Sequence, residues 1–272
     1  MDRIKTRIKD SFTRNAGNYD LYASVQRDVA SMLLKRSFPF FPEEGKALDL
    51  GCGTGFITLP LAKMGIAATG IDLSSGMIDV LRSKAKREGL NHYLLSVADG
   101  DDLPFKDGQF DIAISNLMYQ WIWSLKDGFQ EVSRVMGEGG YFLFSLLGEA
   151  SLRELKEVYV EAATEQGRNG LSPLITFPKA EGIKKALRKT GFKDVEVENL
   201  LLTRYYSNLL HLLRTLKNIG AGNPFQGEDK SFNKRTVLDI MNRIYQERFS
   251  KNGRVKATYE VIFCSGRKRS FF

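Results

Sequence analysis

The chain has little sulfur chemistry to offer. Its 272 residues include two cysteines, Cys52 and Cys264, far apart in sequence. Such a pair provides neither a disulfide framework nor a CxxC metal pattern, and it suits a reducing compartment. Histidine is as scarce: His92 and His211 are the only two, which leaves few general bases that titrate near neutrality. Long apolar runs are also missing. The stretches around Tyr141–Leu147 and Leu209–Leu213 fall far short of the ~20 residues that span a bilayer. The opening residues, Met1 to Asp10, are charged throughout and lack the apolar segment of a secretory signal. There is no internal repeat and no low-complexity tract. These absences predict a cytoplasmic protein with no membrane association.

Core material is present. Hydrophobic residues make up 43% and aromatics 11%, enough to bury a sizeable core. The length fits one large domain or two small ones. The formal net charge of +8 is compatible with nucleic acid, an anionic membrane, an acidic protein partner or simply a basic surface.

Residues 2–37 read as two helices separated by Asn15–Asp20, the second with Val25, Val29, Met32 and Leu33 at helical spacing. Strand signals then alternate with helices. Strands are expected at 47–50, 66–71, 92–97, 110–115 and 141–147, and helices at 56–64, 74–87 (Ser74 as N-cap) and 125–136. Alternation of this kind requires crossover connections and a mostly parallel sheet. Further on, helices are expected at 151–167, 179–190, 207–219 and 231–249, and strands at 195–202 and 257–265. The expected organisation is a single domain. Residues 1–45 form a helical cap, 46–147 a ligand-binding core, 148–178 and 203–253 helical insertions over the open end of the sheet, and 254–272 a final strand and tail.

The run Asp49-Leu50-Gly51-Cys52-Gly53-Thr54-Gly55 joins a strand to a helix. Glycines there permit unusual backbone angles and close approach of a ligand to the main chain. The spacing is GxGxG, with Phe56 where a dinucleotide fingerprint wants its third small residue. Asp72, ending the next strand, can accept from both hydroxyls of a ribose. Taken with ADGDDLPF and FDIAISN further on, DLGCGTG and IDLS resemble the motif series of class I S-adenosylmethionine-dependent methyltransferases over residues 46–147. The resemblance implies a Rossmann-like α/β sheet, mostly parallel with an antiparallel final strand. It implies S-adenosylmethionine as donor and S-adenosylhomocysteine as product. It places Asp49, Gly51, Cys52, Gly53 and Gly55 around the methionine part and Asp72 on the ribose. Leu73 and Met77 then lie on the adenine, Asp99 and Gly100 at its edge, and Asn116 beside the methionine part or the transferred methyl. Cys52 reads as a small loop residue, since nothing suggests a partner base.

Ser115-Asn116-Leu117-Met118-Tyr119-Gln120-Trp121 lacks the proline pair of NPPY-type nucleic-acid methylases, and no aromatic-rich basic motif for single strands appears. Nucleic acid is therefore not expected as a partner. Three segments outside the core resemble the biotin-pathway malonyl-acyl-carrier-protein O-methyltransferase family: Ser11 to Gln26, the SNLMYQW run, and Tyr205 to Ala221, which contains LKNIGA. That family methylates the free carboxylate of a malonyl thioester carried by acyl carrier protein, which masks a charge costly to bury in apolar elongation sites. The resemblance implies that Tyr19 and Gln26 close the cofactor site and that Trp121 shapes the transfer pocket. Arg204, beside Tyr205 and Tyr206, is the expected fork for the acceptor carboxylate. Lys184, Lys185, Arg188, Lys189 and Lys193, with Arg214 and Lys217, are the expected docking face for an acidic carrier protein. Glu138, where relatives often carry proline, and Ala98, for a frequent glycine, depart from the pattern without removing an expected ligand. Core motifs alone also fit a quinone-ring or small-acid methyltransferase, or a cofactor-binding homologue without catalysis.

Overall fold

A computed structural model describes residues 3–122, 124–167, 176–220 and 234–270. Eight strands form one sheet: β1 Lys46–Leu50, β2 Ala67–Asp72, β3 Tyr93–Val97, β4 Phe110–Asn116, β5 Met136–Leu147, β6 Phe192–Tyr206, β7 Ser250–Lys251 and β8 Arg254–Lys268. Their order is β3-β2-β1-β4-β5-β8-β6, with β7 pairing β8. The first five are mutually parallel, while β8 runs antiparallel to β5, β6 and β7. The expected mostly parallel sheet with an antiparallel final strand is therefore observed. The order reverses at β1, which lies between β2 and β4. A crevice opens at the carboxyl ends of strands at such a switch point, where open α/β sheets bind ligands.

Ten helices accompany the sheet among the described residues: α1 Arg3–Asn15, α2 Tyr19–Tyr22, α3 Ser24–Ser37, α4 Thr58–Lys63, α5 Ser75–Arg87, α6 Leu125–Val135, α7 Arg153–Glu165, α8 Ala180–Lys189, α9 Leu209–Asn218 and α10 Lys234–Phe249. Strand alternation splits the core in two. Ile112, Ile114, Leu143, Val261 and Phe263 face a cluster completed by α3, α7, α9 and α10. Ala113, Phe142, Phe144, Ile262 and Cys264 face a second cluster with α6 and α8. Ser74 caps α5 as expected, its Oγ accepting from the Met77 N–H.

Three boundaries differ from the sequence reading. The strand read at 195–202 runs from Phe192 to Tyr206, with a register shift between Lys193 and Glu196. Residues 203–206 thus belong to the sheet, not to an insertion. Residues 250–251 also leave the insertion: β7 turns into β8 through Asn252 and Gly253, both at positive φ, the Asn-Gly signature of a tight hairpin. Finally, β5 starts at Met136, five residues ahead of the expected strand at 141–147. A Cβ on Gly140 would come within 2.7 Å of the Asp111 carbonyl oxygen, so glycine there lets two strands approach closely. Ala221, the end of the LKNIGA run, lies outside the described residues, as do parts of both expected insertions.

Candidate active site

One deep pocket opens at the switch point, and α1 covers it. Thr13 of α1 hydrogen-bonds Ser74 through their hydroxyls at 2.9 Å. A Cβ on Gly76 would sit 3.0 Å from the Thr13 carbonyl oxygen, so Gly76 admits α1 against α5. At the other side Phe12 meets Trp121 edge-on, centroids 5.5 Å apart, and a Cβ on Gly220 would lie 2.8 Å from the Phe12 ring.

The glycine loop forms one wall. Gly51, Gly53 and Gly55 all have positive φ, which side-chain-bearing residues reach only at a cost. A Cβ on Gly51 would meet Met118 Cγ at 2.5 Å. Gly51 and Gly53 line the pocket; Gly55, Cys52 and Asp49 do not. Gly55 makes room for Leu59 and Leu81 instead. Cys52 is buried, and burial with nearby Asp49 and Asp72 pushes its thiol well above the ordinary range, so it offers no thiolate nucleophile. Asp49 lies under the loop. Its Oδ2 accepts from the Thr58 hydroxyl at 2.6 Å, and burial raises its pKa to about 7.

Asp72 stands at the pocket wall. Its Oδ2 accepts from the Gly53 N–H at 2.9 Å and its Oδ1 from the Ser74 N–H at 2.8 Å. Burial still outweighs these bonds and raises its pKa to about 6. A carboxylate fixed by backbone and short of water is ready for added donors. Leu73, Met77, Ala98, Met118 and Ile122 give the same pocket apolar surface, and Asp99 and Gly100 also line it. Lys5, from α1, reaches Asp99 Oδ2 at 2.8 Å and Asp101 Oδ2 at 2.6 Å. Burial works against its charge, yet the bonds to Asp101 and Asp99 leave its pKa raised. Asp101 Oδ1 is buried with no protein partner. An adenosine-sized group with exchangeable hydroxyl and amine protons fits this donor-hungry, apolar cleft.

The remaining expected residues divide. Tyr19, Gln26, Asn116 and Trp121 line the pocket. Asn116 is held on both sides, donating to the Gln26 carbonyl at 3.0 Å and accepting from the Ser145 hydroxyl at 3.0 Å. Next to it, Leu117 takes φ 53°, a strained geometry for a branched side chain that marks functional loops. Tyr19 lies 6.2 Å from Phe56 and 6.4 Å from Phe12 by ring centroid. Burial, then the negative Asp72 and Asp20, push its phenol pKa up. Asp20 ties α2 to the glycine loop, accepting from the Thr54 hydroxyl at 2.6 Å and pairing with Lys84.

Arg204 is not brought in. Its guanidinium pairs with Asp28 and donates to the Thr203 carbonyl, and it is absent from the pocket lining. An arginine on strand β6 next to an acidic group of α3 finds a partner outside the cleft. The expected basic face is also divided. Lys184, Lys185, Arg188 and Lys189 ride on α8, whose apolar face joins the α6 cluster, and Lys193 follows on β6. Arg214 and Lys217 ride on α9, which packs on the opposite sheet face and contributes Leu216 to the pocket. His92 and His211 are exposed and do not line the pocket.

Sequence reasoning missed Lys5, Asp101, Phe177 and Tyr259 in the lining. The DGDD run flags Asp101, but Lys5 and Tyr259 carry no local pattern: one sits on a charged helix, the other midway along the last strand. Among the described residues no helix is long and apolar enough to cross a membrane, and no cluster of metal-ligating side chains occurs.

A family profile described as "Methyltransferase domain" matches residues 48–144. The malonyl-(acyl-carrier protein) O-methyltransferase of Geobacter sulfurreducens is 34% identical over 270 residues, 98% of this chain and 100% of that protein. The biotin biosynthesis bifunctional protein BioHC of Saccharophagus degradans is 33% identical over 96% of this chain, which spans 46% of that longer protein. Among solved structures, the YcgJ protein from Bacillus subtilis superposes with TM-score 0.64 at 17% identity, over 90% of this chain and 99% of that one.

Proposed function

The chain belongs to the malonyl-(acyl-carrier protein) O-methyltransferase family of S-adenosylmethionine-dependent enzymes, and from that membership we propose that its pocket methylates the free carboxylate of a malonyl thioester in biotin biosynthesis. The observation that carries this reading is that no histidine lines the described pocket and that its carboxylates are already engaged, Asp99 and Asp101 by Lys5 and Asp72 by backbone amides. Lys5 is protonated and held by two carboxylates. Tyr19 and Tyr259 have phenols raised above their ordinary value, chiefly by burial, so neither accepts a proton near neutrality. Asp72 has each oxygen engaged by a backbone amide. Such a pocket suits a nucleophile that is already ionised, as a carboxylate is near neutral pH.

In this reading Asp72 accepts from the ribose, while Leu73 and Met77 hold the adenine. Asp99 and Gly100 meet its edge, and Gly51, Gly53 and Asn116 border the methionine part. Asp49, Cys52 and Gly55 support the loop from below. When bound, S-adenosylmethionine supplies a methyl group activated on a sulfonium. The aromatic wall of Tyr19, Phe12 and Trp121 excludes water and presents π-faces suited to a cation. The acceptor oxygen contributes the electron pair of the new C–O bond as the S–C bond breaks, and no proton moves. Catalysis then rests on proximity and orientation.

The malonyl group arrives on acyl carrier protein, an acidic partner. Of the expected basic residues, Arg214 and Lys217 on α9 adjoin the pocket and are both exposed, so docking is assigned to them in preference to α8. The test is methyl transfer from labelled S-adenosylmethionine to malonyl-carrier protein, malonyl-coenzyme A and succinyl-carrier protein. Base-labile label on malonyl-carrier protein is expected; its absence at saturating donor, with cofactor binding intact, refutes the acceptor.

A further inference from the structure

Beyond the carboxyl end of β5 the pocket wall is polar but uncharged. Its groups there include Gln120, Tyr259 and the exposed Thr176, with Leu147, Leu152, Leu216 and Ile219 lining the same pocket. The sole cation among the described lining residues is Lys5, engaged with Asp99 and Asp101. Arg204 is committed to Asp28. A carboxylate entering this end therefore meets no guanidinium from the described chain.

Two of these donors, Gln120 and Tyr259, are shielded from solvent. The Leu147 N–H donates to Gln120 Oε1 at 3.3 Å. A backbone N–H can only donate, so the carboxamide oxygen is fixed toward β5 and its NH2 group is the end left for the cavity. No described group accepts from that NH2. Tyr259 is 4% exposed, and its hydroxyl lies 2.8 Å from the hydroxyl of Tyr206, also buried. Either hydroxyl can donate in that pair; the arrangement in which Tyr206 donates leaves the Tyr259 proton for a ligand. Burial raises both phenols, so both keep their protons. Both donors line the one pocket, Gln120 from the β4 side of β5 and Tyr259 from the β8 side. Leu147 pairs with Val261, and Tyr259, two residues along β8, lies on the same face just past the end of β5.

We propose that the Gln120 carboxamide and the Tyr259 hydroxyl, backed by Tyr206, receive the acceptor carboxylate, an assignment that rests on the carboxyl-methylation reading. Uncharged donors suit the reaction better than an arginine fork. The carboxylate loses its charge as the ester forms, so a cation would hold the ground state more tightly than the transition state and slow the step. Neutral donors orient the nucleophile and release the neutral product.

The experiment compares steady-state transfer to malonyl-carrier protein by the full chain and by Gln120→Leu, Gln120→Glu, Tyr259→Phe and Tyr206→Phe. Calorimetric S-adenosylhomocysteine affinity and thermal midpoint are measured for each. Gln120→Leu and Tyr259→Phe are expected to lower kcat/KM at least tenfold, with cofactor affinity kept within threefold. Tyr206→Phe is expected to have a smaller effect. Gln120→Glu separates a binding role from a packing one. Its carboxylate repels the acceptor near neutrality but becomes a donor once protonated, so its activity relative to wild type rises as pH falls. Substituted chains that keep kcat/KM within threefold, or a flat relative pH profile for Gln120→Glu, overturn the assignment while leaving carboxyl methylation in place. No transfer to malonyl-carrier protein by the wild-type chain removes the reading and the assignment together.

Discussion

Replacing Asp72 by asparagine is expected to separate binding from stability, and the magnitudes can be worked from its surroundings. Folded Asp72 has a pKa of about 6 against an ordinary 3.8, raised first by burial. At 1.36 kcal/mol per pKa unit, ionised Asp72 costs the empty fold about 3 kcal/mol. The sign follows from linkage: the folded state binds the proton more tightly, so this cost grows as pH rises from ~4 to ~6 and is fully present above that. The pKa of about 6 already includes the bonds from the Gly53 and Ser74 amides, and a protonated carboxyl, like asparagine, keeps one full acceptor for the two. The variant is therefore expected to be the more stable empty chain, by about 3 kcal/mol near pH 8 and by roughly half of that near pH 5, where the unfolded carboxyl is mostly ionised and the folded one mostly protonated. Binding behaves differently. Hydrogen bonds from ribose hydroxyls to a charged acceptor are worth about 1.5–3 kcal/mol each, so S-adenosylhomocysteine affinity near pH 8 falls a hundredfold or more. Calorimetric titration and thermal unfolding near pH 5 and pH 8 check all three outcomes. Affinity within threefold of wild type, or a midpoint that does not rise near pH 8, refutes the reasoning.

The same ionisation predicts that wild-type affinity for S-adenosylhomocysteine weakens as pH falls below ~6, with log Kd approaching a slope of one proton; a flat profile between pH 5 and 8 removes Asp72 from the site. Gly51→Ala places a Cβ 2.5 Å from Met118 Cγ at φ +69°, so it is expected to lower stability by about 1–3 kcal/mol and to weaken cofactor binding, both read in one ligand-titrated melt. Lys5→Glu sets a third carboxylate against Asp99 and Asp101 and is expected to weaken cofactor binding at least tenfold; an unchanged Kd means that α1 does not close on the ligand. Paired Arg214→Glu and Lys217→Glu are expected to raise KM for malonyl-carrier protein and flatten its salt dependence. The same reversal at Lys185 and Arg188 on α8 leaves KM unchanged; equal effects from both pairs place docking elsewhere.

Local pattern made the parallel half of the sheet readable. Short apolar runs ending in Asp72 or Asn116, each followed by a capped helix, are signals carried within about ten residues, and β1 to β4 appear within a residue or two of their expected bounds. The antiparallel edge was harder. Strand β6 alternates unevenly, with Leu201 56% exposed, because an edge strand is paired on one side only. Its extension to Tyr206 is set by thirteen residue pairs with β8, and that partner lies some 50 residues further along the chain.

The site divides on the same physical line. Gly51, Gly53, Asp72 and Asp99 are legible because each sits at or just past the carboxyl end of a short apolar strand, so local spacing marks it. The acceptor side is assembled from chain that is distant in sequence. Gln120 is aimed by the Leu147 amide and Tyr259 by Tyr206, and no spacing within any one segment encodes either contact. Arg204 shows the converse error. Residue type alone recommended it as a carboxylate fork, but Asp28, from α3, already occupies its guanidinium. Lys5, the one cation among the described lining residues, is neutralised by Asp99 and Asp101, and Lys84 and Arg204 are paired outside the lining. What remains for an incoming carboxylate is a set of neutral donors, the arrangement expected when the reaction itself discharges the group being held.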